Sequence, residues 1–363
     1  MLQQTQVKTV IPYWDRWMRE LPTIQAAAKA SPARIHKLWE GLGYYTRVRN
    51  LQQAAQQILA QHDGKFPENF SDMLALPGIG RYTAGAIASI AFNQPTPILD
   101  GNVIRVLTRL FGITANPREK QTNAQLWQMA EQLVSQAGRL DSSRRTRNAD
   151  EAEIRNVQSL LTSAATNTES CSHLNQSLME LGALVCTPRS PQCAACPVQK
   201  ICSARKENLQ DQLPNLGKRE AATARCFFAF VVARTGKFLV RQRPAGVVNA
   251  HLWEFPNVEA QGAPAFCRRV SGTKSKQLAG TTPALPDNEF QLASAKPFCT
   301  IKHSITRYRI TLEVYRAELA TPSAIGCGRW LTPHQLHKLA FTSAHKKILQ
   351  TITRAKTQKL KRP

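Results

Sequence analysis

Four cysteines crowd into one short stretch, Cys186, Cys193, Cys196 and Cys202, spaced Cys-x6-Cys-x2-Cys-x5-Cys. Close spacing lets a single loop wrap its thiolates around a metal centre, and iron–sulfur clusters are held by such thiolates. A structural zinc is the rival occupant. A zinc ribbon splits its ligands into two Cys-x2-Cys pairs, however, and only one such pair occurs here. Arg189, Lys200, Arg205 and Lys206 beside the cysteines could present charge to a polyanion. The other five of the nine cysteines, Cys171, Cys226, Cys267, Cys299 and Cys327, are scattered and read as ordinary small residues. An odd count without a secretory leader argues against a disulfide framework.

A second constellation lies upstream. Leu76-Pro77-Gly78-Ile79-Gly80 precedes Arg81-Tyr82-Thr83-Ala84-Gly85. Gly78 and Gly80 allow a sharp turn and the close approach of another backbone. The helix that follows offers free N–H groups and the positive end of its dipole, which suits a phosphate. The same residues would also serve as a plain turn between helices. Twenty residues after Gly80 comes Asp100, in Ile98-Leu99-Asp100-Gly101-Asn102-Val103, at the head of an amphipathic helix running through Leu110. Asp100 can cap that helix. A carboxylate so placed can also stabilise a developing sugar cation.

The elements that must hold these groups change character along the chain. From Met1 to about Gly138 apolar residues recur three and four apart, as in Leu51, Ala54, Ala55, Ile58 and Leu59, and predict helices. Residues 139–170 break the pattern with a mixed charge run and a Ser/Thr/Asn-rich stretch, expected to be a mobile surface insertion. Helix resumes over Leu174–Val185. Residues 203–222 are polar and read as a linker. Phe227–Val232 and Lys237–Arg241 flank Arg234-Thr235-Gly236, which predicts a β-hairpin, and Tyr308–Tyr315 alternates like a strand. The expected organisation is therefore a helical domain over 1–185, a metal loop at 186–202, an α+β domain over 223–352 and a basic, disordered tail at 353–363.

Lys and Arg number 48 against 24 Asp and Glu, a net charge of +24 in 363 residues. Such an excess attracts polyanions and releases counterions at phosphates, which points to nucleic acid. No long apolar run or leader is present, so the cytoplasm is the expected compartment.

Together these motifs resemble the helix-hairpin-helix iron–sulfur superfamily of DNA glycosylases, and within it the MutY adenine DNA glycosylases. The cysteine spacing matches that superfamily's [4Fe–4S] signature, and Asp100 stands at the interval where the superfamily places its catalytic Asp. Endonuclease III-like lyases carry a Schiff-base Lys where this chain has Tyr82, so the resemblance implies a monofunctional hydrolase, with Tyr82 packed against the sugar. Three further stretches resemble MutY closely: Met1-Leu2-Gln3-Gln4-Thr5-Gln6; Gly41-Leu42-Gly43-Tyr44-Tyr45 with Arg47, Arg49, Asn50 and Leu51; and Asn175-Gln176-x-Leu178-Met179-Glu180-Leu181-Gly182. The resemblance implies that Leu2, Gln3, Gln4 and Thr5 line the adenine pocket and enter the duplex. It places Tyr44 as a wedge in the base stack, with Arg47 beside it, and Gln176 facing the extruded base. Gly78, Gly80 and Asn102 would complete the DNA-contacting set. Flipping the base out of the stack is what lets a pocket read it. On its own residues, Tyr44 reads as readily as core packing.

The second domain resembles the Nudix-like C-terminal domain of the same family, through Phe228–Val232, Phe238–Pro244 and Leu252–Pro256. The stretch Gly262–Val270 lacks the acidic residues of a magnesium-binding Nudix helix, so no pyrophosphatase activity is expected. The recognition loop for the oxidised base, Phe-Ser-His in the family, is matched by His303-Ser304-Ile305-Thr306-Arg307-Tyr308. Ser304 and Thr306 are the contacts expected there. The resemblance covers nearly all of the chain outside 139–170 and the tail. It implies a base-excision-repair enzyme, an all-α glycosylase domain followed by an α+β Nudix-like domain. Its substrate would be adenine opposite 8-oxoguanine or guanine in double-stranded DNA, and it would act as a monomer at the bacterial nucleoid. A non-catalytic lesion-binding protein and a thymine or uracil mismatch glycosylase are the alternatives. One departure stands out. The family's catalytic Glu, which protonates the departing adenine, falls two residues before the position of Met1. Coding sequence upstream of Met1 is the favoured explanation over a shortened chain, and residues 1–363 alone are expected to bind DNA and excise adenine poorly.

Overall fold

The computed structural model of the chain describes residues 1–138, 170–218, 221–260, 290–305, 307–319 and 328–359. Expectations for residues 139–169, for Gly262–Val270 and for Thr306 lie outside the described residues. The chain forms two compact units, Met1–Leu59 with Glu220–Pro363, and Ala60–Arg219.

The first unit begins with helices α1 (Val7–Glu20), α2 (Ile24–Lys29), α3 (Pro32–Trp39) and α4 (Thr46–Gln61), the last entered by this unit as far as Leu59. Thr23 and Ser31 cap α2 and α3, each side-chain oxygen accepting a backbone N–H of the first turn. Trp17, Ile35, Trp39 and Val48 form their core, with Trp17 and Trp39 edge to face at 6.0 Å. Leu252 and Ala340, far along the chain, complete the same core.

The rest of this unit is a mixed sheet: β1 (Thr223–Arg234), β2 (Lys237–Gln242), β3 (Trp253–Glu254), β4 (Asn257–Glu259), β5 (Phe290–Leu292), β6 (Cys299–Ile305), β7 (Tyr308–Leu319) and β8 (Arg329–Leu331). β1 and β7 run parallel at its centre, from Thr223 opposite Tyr308 to Val232 opposite Ala317. The expected hairpin is present, with Arg234 opposite Lys237. Thr235 and Gly236 turn it with φ of 46° and 77°, the two positive values that fit the twist of paired strands. Helices α11 (Pro333–Lys338) and α12 (Ser343–Lys359) cover one face through Leu336 and Ile348, with Phe341 of the link between them. Helix α12 corrects the expectation of a disordered tail, because it continues through Lys359. Its apolar positions Ile348, Leu349 and Ile352 are anchored in the core, and the helix propagates past them. Cys226 on β1 is also not an ordinary small residue, since it is disulfide-bonded; pairing made by the fold leaves no trace in local spacing.

The second unit holds α5 (Phe70–Ala75) and α6 (Arg81–Phe92), which share a core at Met73, Ala84 and Ala88, and α7 (Gly101–Leu110), α8 (Lys120–Gly138) and α9 (Ser170–Glu180), which pack around Val103, Leu107, Leu126, Leu133 and Leu174. A π turn, Leu181–Val185, ends α9 and delivers the chain to Cys186. A 3₁₀ turn, Cys193–Ala195, and the short helix α10 (Ser203–Lys206) frame the cysteine loop. Among the described residues no helix is long and apolar enough to cross a membrane.

Candidate active site and iron–sulfur centre

Helix α7 is the axis of the site. Asp100 is its N-cap, and Oδ1 accepts the backbone N–H groups of Asn102 and Val103, both at 2.8 Å. Capping fixes one oxygen and leaves Oδ2, which accepts only the Asn102 side-chain amide at 3.2 Å. The two readings of Asp100 are thus compatible, because the cap takes one oxygen and leaves the second with a single side-chain donor. Asp100 is half-buried. Tyr82, in the first turn of α6, is half-buried too, and burial first, then the Asp100 carboxylate, pushes its phenol above the usual tyrosine range. That coupling brings Tyr82 and Asp100, expected as partners, into one neighbourhood.

The Leu76–Gly80 turn is built as expected. Gly78 has φ of 78°, and Gly80 caps α6 without any side-chain hydrogen bond. A Cβ added at Gly80 would meet nothing within 4 Å, so its face is open for another backbone. Gly85 is needed for a different reason, since a Cβ there would lie 2.3 Å from the Pro97 carbonyl oxygen. That contact lets α6 lie against the segment that leads to Asp100. Gln176, on α9, is half-buried and donates its amide to Ser172 Oγ at 3.0 Å.

Two arginines on α7 were not singled out by sequence. Arg105 donates to the carbonyls of Gly182 at 2.6 Å and Cys186 at 2.7 Å, and to Asn102 Oδ1 at 2.9 Å. Arg109 donates to Cys186 Sγ at 3.3 Å and to the carbonyls of Thr187 and Leu213, both at 2.8 Å. A continuous chain of bonds therefore runs from Asp100 through Asn102 and Arg105 to the cysteine loop. The signal available in sequence was two arginines four apart on the buried face of an amphipathic helix, where a charge must find partners. Gly182 makes the contact possible: a Cβ there would sit 2.7 Å from that of Asn102.

Cys186, Cys193, Cys196 and Cys202 line one small cavity together with Arg109 and Arg205. Burial pushes the Cys196 and Cys202 thiols up, and the other cysteines of the set add to it. A bound cation centre reverses that preference and holds the sulfurs as thiolates. Among the described residues no group of His, Cys, Asp or Glu is arranged to hold a single metal ion. Zinc would require four sulfurs about 2.3 Å from one point. Thiols set around a hollow fit a cluster, whose iron and sulfide would fill the middle.

The remaining expected residues belong to the first unit. Arg47 donates to the carbonyls of Met1 and Gln3, to Thr5 Oγ1, and to the carbonyls of Leu42 and Gly43. Its guanidinium also lies over the Trp39 and Tyr44 rings, at 5.5 and 5.4 Å. Arg47 thereby ties the turn at Met1, Gln3 and Thr5 to the Leu42–Gly43 turn beside Tyr44. Tyr44 is 55% exposed with φ of 48°, whereas Tyr45 is buried with its hydroxyl accepting the Gly41 N–H at 3.2 Å. Of the tyrosine pair, one is core and one is presented. Leu2 is 57% exposed, and Gln4 has φ of 55°. Ser304 is exposed on β6, paired opposite Arg309.

Residues 1–132 match the HhH-GPD superfamily of base excision DNA repair proteins, residues 186–202 the iron-sulfur binding domain of endonuclease III, and residues 228–351 the NUDIX domain. The fold and the site thus define a helix-hairpin-helix base-excision protein with a [4Fe–4S] loop, joined to a Nudix-like sheet. The adenine DNA glycosylase of Homo sapiens is 33% identical over 400 residues, 96% of this chain and 66% of its own length. That of Rattus norvegicus is 33% identical over 96% of this chain and 69% of its own length. That of Arabidopsis thaliana is 36% identical over 71% and 41%. The chain belongs to the adenine DNA glycosylase family; it spans 66–69% of the human and rat relatives and less of the plant one.

Proposed function

We propose that this chain binds duplex DNA carrying adenine opposite 8-oxoguanine or guanine, and that the site hydrolyses the adenine N-glycosidic bond. The observation that carries the reading is the Asp100 carboxylate. Its Oδ1 is tied down by the α7 cap and its Oδ2 is steered by Asn102, beside Tyr82 and the open Gly80 turn. As the bond to the base stretches, positive charge grows on the sugar, and a fixed carboxylate stabilises it without reorganising. Tyr82 has no amine with which to form an imine, so the reaction ends at hydrolysis. The Gly78–Gly80 turn and the head of α6 take a backbone phosphate. The cluster, when bound, holds the 186–202 loop folded, and Arg105 and Arg109 hold that loop to α7.

Binding and base release, measured separately on purified protein, test this. The three duplexes carry A opposite 8-oxoguanine, A opposite guanine, and T opposite guanine. The expected result is tightest binding to the first, and adenine release at least about 10²-fold faster than in Asp100→Asn, which keeps a capping oxygen. Because release is scored as a ratio, a slow reaction is still decisive. Thymine release at a matching rate would assign the mismatch-thymine alternative. Tight binding with no release of any base would assign the lesion-binding one.

A further inference from the structure

Arg109 is only 3% exposed, and among the described residues it is in no ion pair. A guanidinium taken out of water is costly unless something balances its charge. Its bonds to the Thr187 and Leu213 carbonyls satisfy N–H groups but supply no anion. The negative end of the α7 dipole meets only part of a full charge. Asp100, the one carboxylate of α7, caps the opposite end of the helix. What remains is sulfur. Arg109 Nη1 donates to Cys186 Sγ at 3.3 Å, and the Arg109 carbonyl accepts from Cys202 Sγ at 3.5 Å, so one residue touches the first and the last cysteine of the loop. No Asp or Glu lines the cavity between the cysteines, and the second cation there, Arg205, is exposed. Arg105 bonds the Cys186 carbonyl rather than its sulfur.

We propose that Arg109 is the buried counter-charge of the iron–sulfur centre and biases the loaded cluster against losing an electron. The inference rests on the iron–sulfur reading of the loop, not on which base is removed. Four thiolates outweigh the positive core, so the loaded centre is net negative. Cluster potentials respond to net charge and to hydrogen bonds on sulfur. In a low-dielectric interior a fixed cation acts strongly on such a centre. Losing an electron makes the centre less negative and weakens its attraction to the guanidinium. The N–H···S bond works in the same direction, because it draws charge from the Cys186 sulfur. Arg109 is thus a positioning residue for the cofactor whose effect appears in the potential.

The test is a redox titration of the full loaded chain with ferricyanide as the one-electron oxidant, iron and sulfide being counted in parallel. Arg109→Gln removes the charge and keeps an amide donor, whereas Arg109→Lys keeps the charge. Arg109→Gln is expected to shift the one-electron equilibrium at least tenfold toward the oxidised cluster, a midpoint about 59 mV lower. Arg109→Lys should stay within about threefold of the wild type, and so should Arg205→Gln, whose exposed charge is screened by solvent. Should Arg109→Gln take up no cluster, cluster content decides. Arg109→Lys loading like the wild type would then support the counter-charge, and Arg109→Lys equally empty would overturn it. An unshifted midpoint in Arg109→Gln, or an equal drop in Arg109→Lys or Arg205→Gln, would overturn it too. A wild-type chain purified without iron or sulfide would sink the cluster reading itself, and this inference with it.

Discussion

A single carboxylate can be both structural and reactive because it has two oxygens. In Asp100 the helix uses one, and the neighbour two residues on steers the other. Arg105 extends this arrangement by holding Asn102 and the Gly182 and Cys186 carbonyls at once. Replacing Arg105 with Met keeps length but removes every donor. Leaving these buried acceptors bare is expected to cost about 2–4 kcal/mol. Base release should slow and iron content should fall together in the purified variant. Full iron with unchanged release would show that the bond chain is ornamental. The aspartate and the cysteines stood out in sequence because their spacing is local. Arg105 did not, because its partners Gly182 and Cys186 lie far along the chain and become neighbours only when α9 and its π turn pack on α7.

At the scale of elements, close approach decides the geometry. Gly182 lets the π turn lie directly on the start of α7, where Asn102 sits. Gly182→Ala is expected to displace that start, costing about 1–3 kcal/mol and lowering base release more than DNA binding. An unchanged release rate would show that the start of α7 tolerates the displacement. Glu40 offers the corresponding test in the first unit. Its side chain is 5% exposed and accepts from Lys37 and Lys346, both at 2.8 Å, and from the Phe341 N–H at 2.9 Å, which fastens α3 to α12. Burial alone would raise its pKa, but these bonds from Lys346, Lys37 and Phe341 outweigh it and hold the carboxyl below the usual range. A depressed folded pKa means stability that is present above the unfolded value near 4.5 and lost as pH falls through the folded one. His345, fully buried with Nδ1 accepting the Phe255 N–H, is held down to about 3 by burial, then by Arg243 and His303. Here the unfolded chain takes up the proton first, so stability falls as pH drops below about 6.5 toward 3. Denaturation midpoints across that range should therefore decline in two stages. Glu40→Gln should cost about 2 kcal/mol at neutral pH and remove only the stage below 4.5. A profile identical to the parent's would refute the role of Glu40.

For the whole molecule, charge is the dominant property. With +24 in 363 residues, affinity for any duplex should fall steeply with salt, log K against log [salt] having a slope of about −0.9 for each phosphate neutralised. A slope steeper than about −4 is expected, similar for matched and mismatched duplexes, while the ratio between them changes little. A shallow slope would mean that the excess charge is not directed at DNA. Family membership constrains the reaction, but the charge sets how the chain finds its substrate.

Sequence by itself determined whatever depends on neighbours along the chain: the thiolate loop, the glycine turn, the cap at Asp100, the β1–β2 hairpin and the net charge. These are set by backbone conformation and ligand chemistry over a few residues, so spacing reveals them. Only tertiary structure decided that Tyr44 is presented while Tyr45 is buried, that Arg47 orders two turns of its own chain, that Cys226 is bonded, and that His36 Nε2 is buried without a hydrogen-bond partner. Each depends on which distant groups arrive to satisfy or exclude a polar atom, and a buried group's partners are fixed by packing, which no local pattern encodes.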